Sequence, residues 1–202
     1  RIADAVHKYS DKPLITGGNI YCSSTVRTGI KRLADGNQIY APHGYDSVVN
    51  TDHYESFSRE NVRKLFMDKR DSQLQLGLPV IVGEWGAFPP EDFTNLLLDH
   101  MTGILEEYLW GSTYWEHISG MENDSRYEAL SRAYPMETAG VLKNYHFNRE
   151  NGRFTMAYDG IRGAVTRVYC PFTPSAVQGN KISWRFEAYP AKGGILYVTA
   201  EA

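Results

Sequence analysis

Pro79-Val80-Ile81-Val82-Gly83-Glu84-Trp85-Gly86 is the stretch that decides the fold. Its apolar run, bounded by Pro79 and Gly83, has the character of a strand buried on both faces, as strands of a parallel sheet are. Glu84 closes that strand at its C-terminal end, where parallel α/β sheets and barrels carry their catalytic groups. Trp85 beside it offers an aromatic ring for stacking, and Gly86 lets the backbone turn away. A glutamate at a strand exit can equally cap a helix or face water, so its neighbours decide its role.

Working toward the N-terminus, Ser58 is placed to cap a helix carrying Val62, Leu65 and Phe66, which Gly77 closes. Before it, Gln38 to Ala41 is a strand running into Pro42-His43-Gly44-Tyr45-Asp46. Leu14-Ile15-Thr16 is another, ending in Gly17-Gly18-Asn19 and preceded by a helix over residues 1–9 with Ile2, Ala5, Val6 and Tyr9 on one face. Toward the C-terminus, Pro90, Glu91 and Asp92 predict a helix start, with Phe93, Leu97, Met101, Ile104 and Tyr108 as the apolar stripe. Gly111 to His117 then forms a further strand. Helices alternating with strands predict a parallel sheet with crossover helices.

Beyond about residue 134 the pattern changes. Arg153 to Tyr158, Ala164 to Cys170, Lys181 to Ala188 and Gly194 to Ala200 are short runs with period-two alternation, clearest at Ile182, Trp184 and Phe186. Turn-rich stretches separate them, and no helix-period segment intervenes. Residues 1–133 are therefore expected to form an α/β domain and residues 134–202 a small antiparallel β domain. Trp110 and Trp184 are expected to be packing residues.

With a net charge of -3 and no Lys/Arg cluster, the chain offers no nucleic-acid surface. Leu96 to Leu109, its most apolar helical stretch, is interrupted by Asp99, His100, Glu106 and Glu107, which excludes a membrane span there. Cys22 and Cys170 lie far apart without metal-ligand spacing. No nucleotide motif, metal-ligand set or cofactor is implied. Glu122-Asn123-Asp124 lacks the full ligand set of a cation loop.

Chemical groups collect at three strand ends: His43 and Tyr45, Glu84 and Trp85, Trp115 and His117. Residues two apart along an extended strand point the same way, and parallel strands open their ends on one side. A carboxylate flanked by a tyrosine hydroxyl, a histidine and tryptophan faces suits a retaining glycosidase. Of the rival carboxylates, Glu107 sits on a helix, and Glu116 alternates with Trp115 and is expected to face away.

Ala41-Pro42-His43-Gly44-Tyr45-Asp46, then Val82-Gly83-Glu84-Trp85-Gly86, then Tyr114-Trp115 resembles the second half of a glycoside hydrolase family 5 barrel. Ser131-Arg132-Ala133-Tyr134-Pro135, Ala139-Gly140 and Arg153-Phe154-Thr155-Met156-Ala157-Tyr158 resemble the C-terminal β-sandwich of its endoglycoceramidase and glucosylceramidase-like branch. The implied fold is α/β, the second half of a TIM (β/α)8 barrel followed by a small antiparallel β-sandwich. The resemblance makes Glu84 the nucleophile, Tyr45 its hydrogen-bonding tyrosine, His43 a substrate-site histidine and Trp115 the platform on the last strand. Trp85 and His117 are expected to touch the sugar.

The implied substrate is a carbohydrate or glycolipid, above all a glycosylceramide, with peripheral membrane contact for the lipid. The alternatives are an endo-β-glucanase or mannanase on polysaccharide, or a carbohydrate- or lipid-binding remnant without catalysis. Retention needs two carboxyl groups about 5 Å apart, and the family's acid/base glutamate, after an asparagine on the fourth strand, has no counterpart here. The chain is thus expected to be the C-terminal portion of a longer protein. It needs the N-terminal half of the barrel as its partner and should be inactive alone.

Overall fold

A computed structural model describes residues 2–18, 27–91 and 93–201 of the protein. Cys22, Asn19 and Asp92 lie outside the described residues. The chain divides into two compact units, Arg1–Met121 and Glu122–Ala202.

In the first unit, β1 (Leu14–Thr16) pairs in parallel with β2 (Gln38–Tyr40). Tyr40 bridges in parallel to Val80 and donates its N–H to the Pro79 carbonyl at 2.9 Å, which lays β2 along the approach to β4 (Ile81–Gly86). Pro42 has no N–H to give a ladder, and the strand breaks there before resuming as β3 (His43–Gly44). β3 pairs in parallel with β4, and β4 with β5 (Gly111–Trp115). The strand segments thus lie side by side in chain order, all parallel, as the alternation of helices and strands predicts.

Residues 27–37 form a turn-bearing loop without a helix among the described residues. Side chains satisfy this loop instead: buried Gln38 accepts from the Leu33 N–H at 2.9 Å and donates to Thr16 Oγ1 at 2.9 Å. Arg32 reaches the Leu76 and Gly77 carbonyls, both at 3.2 Å, at the negative end of the following helix.

That helix, α2 (Arg59–Leu76), starts and stops where its signals stand. Ser58 accepts from the Asn61 N–H, and Gly77 takes the left-handed conformation with φ 61°. α3 (Thr94–Tyr108) begins later than Pro90 and Glu91 led one to expect. The Thr94 hydroxyl donates to the Pro89 carbonyl at 2.6 Å and its N–H to the Glu91 carbonyl at 3.0 Å, so Pro90 and Glu91 precede the helix instead of opening it. Val62, Leu65 and Phe66 of α2, Leu97, Leu98, Met101 and Ile104 of α3, and Val80 and Val82 are all buried. Each such side chain contributes about 1.5–3 kcal/mol through removal from water. Trp110 is buried as expected and donates Nε1–H to Gln73 at 2.9 Å. α1 (Ile2–Val6) is shorter than expected, and Ile2, Val6 and Tyr9 are exposed instead of packed.

The second unit opens with α4 (Ser125–Leu130). Asp124 caps it and holds Arg126 at 2.6 Å, which gives the acidic loop a structural role. β6 (Tyr134–Glu137), β9 (Val165–Cys170), β10 (Ile182–Ala188) and β11 (Gly194–Ala200) form an antiparallel sheet in the order β10-β11-β9-β6. β7 (Gly140–Asn148) and β8 (Arg153–Gly160) make a separate antiparallel pair. Val168, Cys170, Leu196 and Val198 form the core, with Phe154 and Met156 of β8 packed against it. Cys170 is a free, buried thiol whose pKa burial pushes up to about 11.

Two strands here escaped the sequence. β6 carries Pro135, which an edge strand tolerates, and β7 lacks clean alternation. Trp184, grouped with Ile182 and Phe186 as packing, is 48% exposed because β10 is also an edge strand.

Under β3, a methyl group added at Gly44 would lie 2.7 Å from Cζ of the buried Phe66 ring. Gly44→Ala is therefore expected to cost about 1–3 kcal/mol in urea unfolding, and adding Phe66→Leu should recover part of that loss. No recovery in the double variant would mean that something other than the ring excludes a side chain at Gly44.

Candidate active site

The register of β3 on β4 places His43 beside Glu84 and Gly44 beside Trp85. Paired residues of adjacent strands project to the same side, so both side chains leave the sheet together. The His43 ring also lies across Gly83, where an added Cβ would sit 3.5 Å from its Cδ2 and Nε2.

Glu84 is re-aimed by an irregularity. Val82 pairs with Ser112 and Trp85 with Tyr114, so Gly83 and Glu84 together oppose Thr113 alone. That is the count of a β-bulge, a device common beside active sites. Thr113 stabilises it by donating its hydroxyl toward the Val82 carbonyl at 3.4 Å and to the Gly83 carbonyl. Gly83 inside a strand run was the available sequence signal for the bulge, whereas nothing in the sequence singled out Thr113.

Tyr45 Oη donates to Glu84 Oε2 at 2.9 Å. His43 Nδ1 stands 3.5 Å from the same oxygen, beyond the preferred hydrogen-bond range. The His43 and Glu84 side chains remain 31% and 37% exposed, open to a ligand. The His43 and Tyr45 rings meet edge to face at 6.2 Å and 88°. The structure therefore brings His43, Tyr45 and Glu84 together on one carboxylate oxygen.

Tyr45 is held far above the ordinary tyrosine pKa. Burial is the largest cause, followed by its hydrogen bond to Glu84 and the charges of Glu84 and Glu116. Glu116, an exposed residue, acts on Tyr45 only through its charge. β5 ends at Trp115, so the strand's alternation does not extend to it. The Trp115–Glu116 peptide bond is cis.

The two tryptophans part company. Trp115 is 47% exposed at the end of β5, and its carbonyl accepts from the Ala87 N–H at 2.7 Å. Trp85 is only 2% exposed and packs edge-on to Tyr114 at 5.3 Å. The expectation that Trp85 presents a sugar-stacking face is corrected: its ring is buried in the core against Tyr114. Gly86 follows at φ 100°, where a Cβ would lie 2.2 Å from the Tyr114 ring. His117 is exposed. Glu107 pairs through both oxygens with Arg63, at 3.2 and 2.7 Å, which leaves it a structural carboxylate.

Two family models match the chain: Cellulase (glycosyl hydrolase family 5) over residues 1–118, and Glycoside hydrolase family 5 C-terminal domain over residues 132–173. No curated protein matches it. Among solved structures it is similar to endo-glycoceramidase II from Rhodococcus sp., captured as a lactosyl-enzyme intermediate. The TM-score is 0.72 at 16% identity, over 98% of this chain and 52% of that one. It is also similar to an endogalactoceramidase (TM-score 0.69, 16% identity, 99% and 49% of the two chains). Sterylglucosidase 1 from Cryptococcus neoformans is a further neighbour (0.62, 13%, 89% and 38%). At these identities the likeness is one of fold, and the chain spans about half the length of the first two.

The raised Tyr45 pKa has a testable sign. Because the folded value lies above the unfolded one, near 10, its contribution to stability is full below pH 10. That contribution is lost as pH climbs toward the folded value. In protein labelled with ¹³C at tyrosine Cζ, the Tyr45 resonance should stay phenolic at pH 10.5, where an ordinary tyrosine is mostly ionised. Glu84→Gln should lower its titration point without bringing it back to 10, since burial remains. A Tyr45 that titrates normally in the parent protein would refute this account of the site.

Proposed function

Because the chain belongs to glycoside hydrolase family 5, whose model matches residues 1–118, we propose that it is part of a retaining β-glycosidase with Glu84 as nucleophile. The observation that carries the assignment is the 2.9 Å hydrogen bond from Tyr45 to Glu84 at the head of paired parallel strands. In the proposed architecture, residues 1–133 are the second half of a (β/α)8 barrel and residues 134–202 its β-sandwich.

In the first displacement, Glu84 Oε attacks the anomeric carbon and the bond to the aglycone oxygen breaks as that oxygen takes a proton. A glycosyl ester on Glu84 results. In the second, water adds to the anomeric carbon, gives up a proton, and releases Glu84 as carboxylate. Tyr45 donates one neutral hydrogen bond to Glu84, which fixes the carboxylate's direction without the permanent charge of a lysine. Its raised pKa keeps that proton in place across the working pH range. His43, on the same side, is placed to contact a sugar hydroxyl. The open ring of Trp115 provides the apolar platform for the pyranose. The proton donor is a carboxyl group of the remainder of the barrel.

The substrate class is a β-glycoside of a lipid, glucosyl- or lactosylceramide above all. The fold likeness to endo-glycoceramidase II and endogalactoceramidase across both units supports this, together with the family's C-terminal domain model. A polysaccharide substrate is separated from it by a side-by-side assay on glucosylceramide and a soluble β-glucan.

The decisive variant is Glu84→Gln in the complete protein. Turnover should fall by roughly three orders of magnitude or more with unfolding unchanged. Exposure of the parent protein to 2-deoxy-2-fluoro-β-glucosyl fluoride should leave a sugar adduct on Glu84. This reagent's fluoride departs without an acid, so the trap reports on the nucleophile alone. Near-normal turnover in the variant, or an adduct on another residue, would remove Glu84 from the role.

A further inference from the structure

We propose that the outer face of the β10-β11-β9-β6 sheet is a second carbohydrate site, taking a short, uncharged oligosaccharide. This goes beyond the catalytic reading and does not rest on it.

Cross-strand register builds the face. Arg185 of β10 stands opposite Tyr197 of β11, Tyr197 opposite Arg167 of β9, and Arg167 opposite Glu137 of β6. One row of side chains therefore spans all four strands. In the next row, Ser183 stands opposite Thr199. A groove of about 460 Å³ runs over these residues, with Trp184 at its rim. That volume lies within the roughly 300–1,000 Å³ of small-molecule sites. Three strand spacings give the row a length of about 14 Å, enough for a short oligosaccharide.

Ring contacts and hydrogen bonds link the row. The Arg185 guanidinium stacks 3.5 Å from the Tyr197 ring centroid, and Arg167 approaches the same ring at 5.9 Å. Glu187 accepts from Tyr197 Oη at 3.0 Å and from Arg185 at 3.3 Å, while Glu137 accepts from Arg167 at 3.0 Å. Exposed ion pairs of this kind add little stability, and ordering long side chains costs rotamer entropy. Folding alone therefore gives no reason for the array; preorganised recognition does.

Its chemistry selects the ligand. Each arginine is matched by a carboxylate, so the face has no net charge to attract an acidic headgroup. Each guanidinium has five N–H donors and spends few of them on its partner. Donors beside carboxylate acceptors, spaced along a row, match adjacent sugar hydroxyls, which accept from one and donate to the other. Trp184, exposed although strand alternation turns it inward, supplies an apolar ring at the edge for the C–H face of a pyranose.

The test is affinity electrophoresis of the whole protein in native gels containing hydroxyethylcellulose or galactomannan, with flotation on phosphatidylcholine–phosphatidylserine vesicles in parallel. The parent protein should be retarded by at least one polysaccharide. Trp184→Ala and Arg185→Ala should each weaken retardation by about tenfold with unchanged thermal unfolding, while Trp115→Ala retains it. No retardation in either gel overturns the proposal. So does loss in Trp115→Ala alone, which would place the binding at the strand ends of the first unit. Vesicle binding lost on Arg185→Ala, without polysaccharide binding, would make the face a membrane surface and overturn it equally.

Discussion

The pairing of His43 with Glu84 across β3 and β4 is the constraint on which the first unit's chemistry depends. A parallel register slipped by one residue would send these two side chains to opposite faces. Several contacts prevent the slip. Pro42 offers its carbonyl to the Gly83 N–H at 2.9 Å, Tyr40 reaches back to Pro79, and the Phe66 ring closes over Gly44 so that only a glycine fits. A buried phenylalanine of α2 thus helps to set the position of the histidine next to Gly44. Packing, the bulge and the hydrogen bond to Tyr45 all act on the same two residues of chain.

Glu84 occupies a compromise between burial and access. A fully buried carboxylate would take up a proton and lose its nucleophilicity, while a fully solvated one would have no fixed direction. The half-open site leaves Glu84 accessible, and Tyr45 gives it a direction by fixing one oxygen. The tyrosine's loss of acidity is the other side of that arrangement: burial and two nearby carboxylates all oppose a phenolate. Trp85 and Tyr114 form the floor behind, and Gly86, at φ 100°, is the residue whose missing side chain lets the Tyr114 ring lie against the backbone. An apolar floor under a polar mouth keeps the carboxylate turned outward.

How much of this was legible follows physical lines. Strand order, the buried character of β4 and both ends of α2 were written in local signals: apolar runs, a capping serine, a closing glycine. The convergence of His43, Tyr45 and Glu84 was legible because parallel strands share an exit side. Trp85 was misjudged because it was set at the site beside Glu84, although neighbours along a strand face opposite ways and Trp85 accordingly turns into the core. The hydrogen bonds of Gln38 and Arg32 that hold the loop over residues 27–37 act across distances that no periodicity encodes. Trp184 was assigned inward by alternation, and only the position of β10 at the sheet edge exposes it.

Burial across the first unit bears on the proposed barrel. β2 and β4, in the middle of the parallel set, have no exposed residue, whereas Ile15 on β1 and most of β5 are exposed. The apolar residues Ile2, Val6 and Tyr9 are exposed as well. An open parallel sheet with uncovered outer strands carries unpaired backbone groups on both sides, a state that proteins remove by covering or closing the edges. Closing the set into a barrel would do so at both outer strands, and would bring further strand ends to the side where Glu84 emerges. The exposure that leaves the outer strands incomplete and the second carboxyl group that retention demands are then met by the same added strands. Stability and catalysis would share one requirement, which is why the proposed nucleophile can be well formed here while the reaction still needs the rest of the barrel.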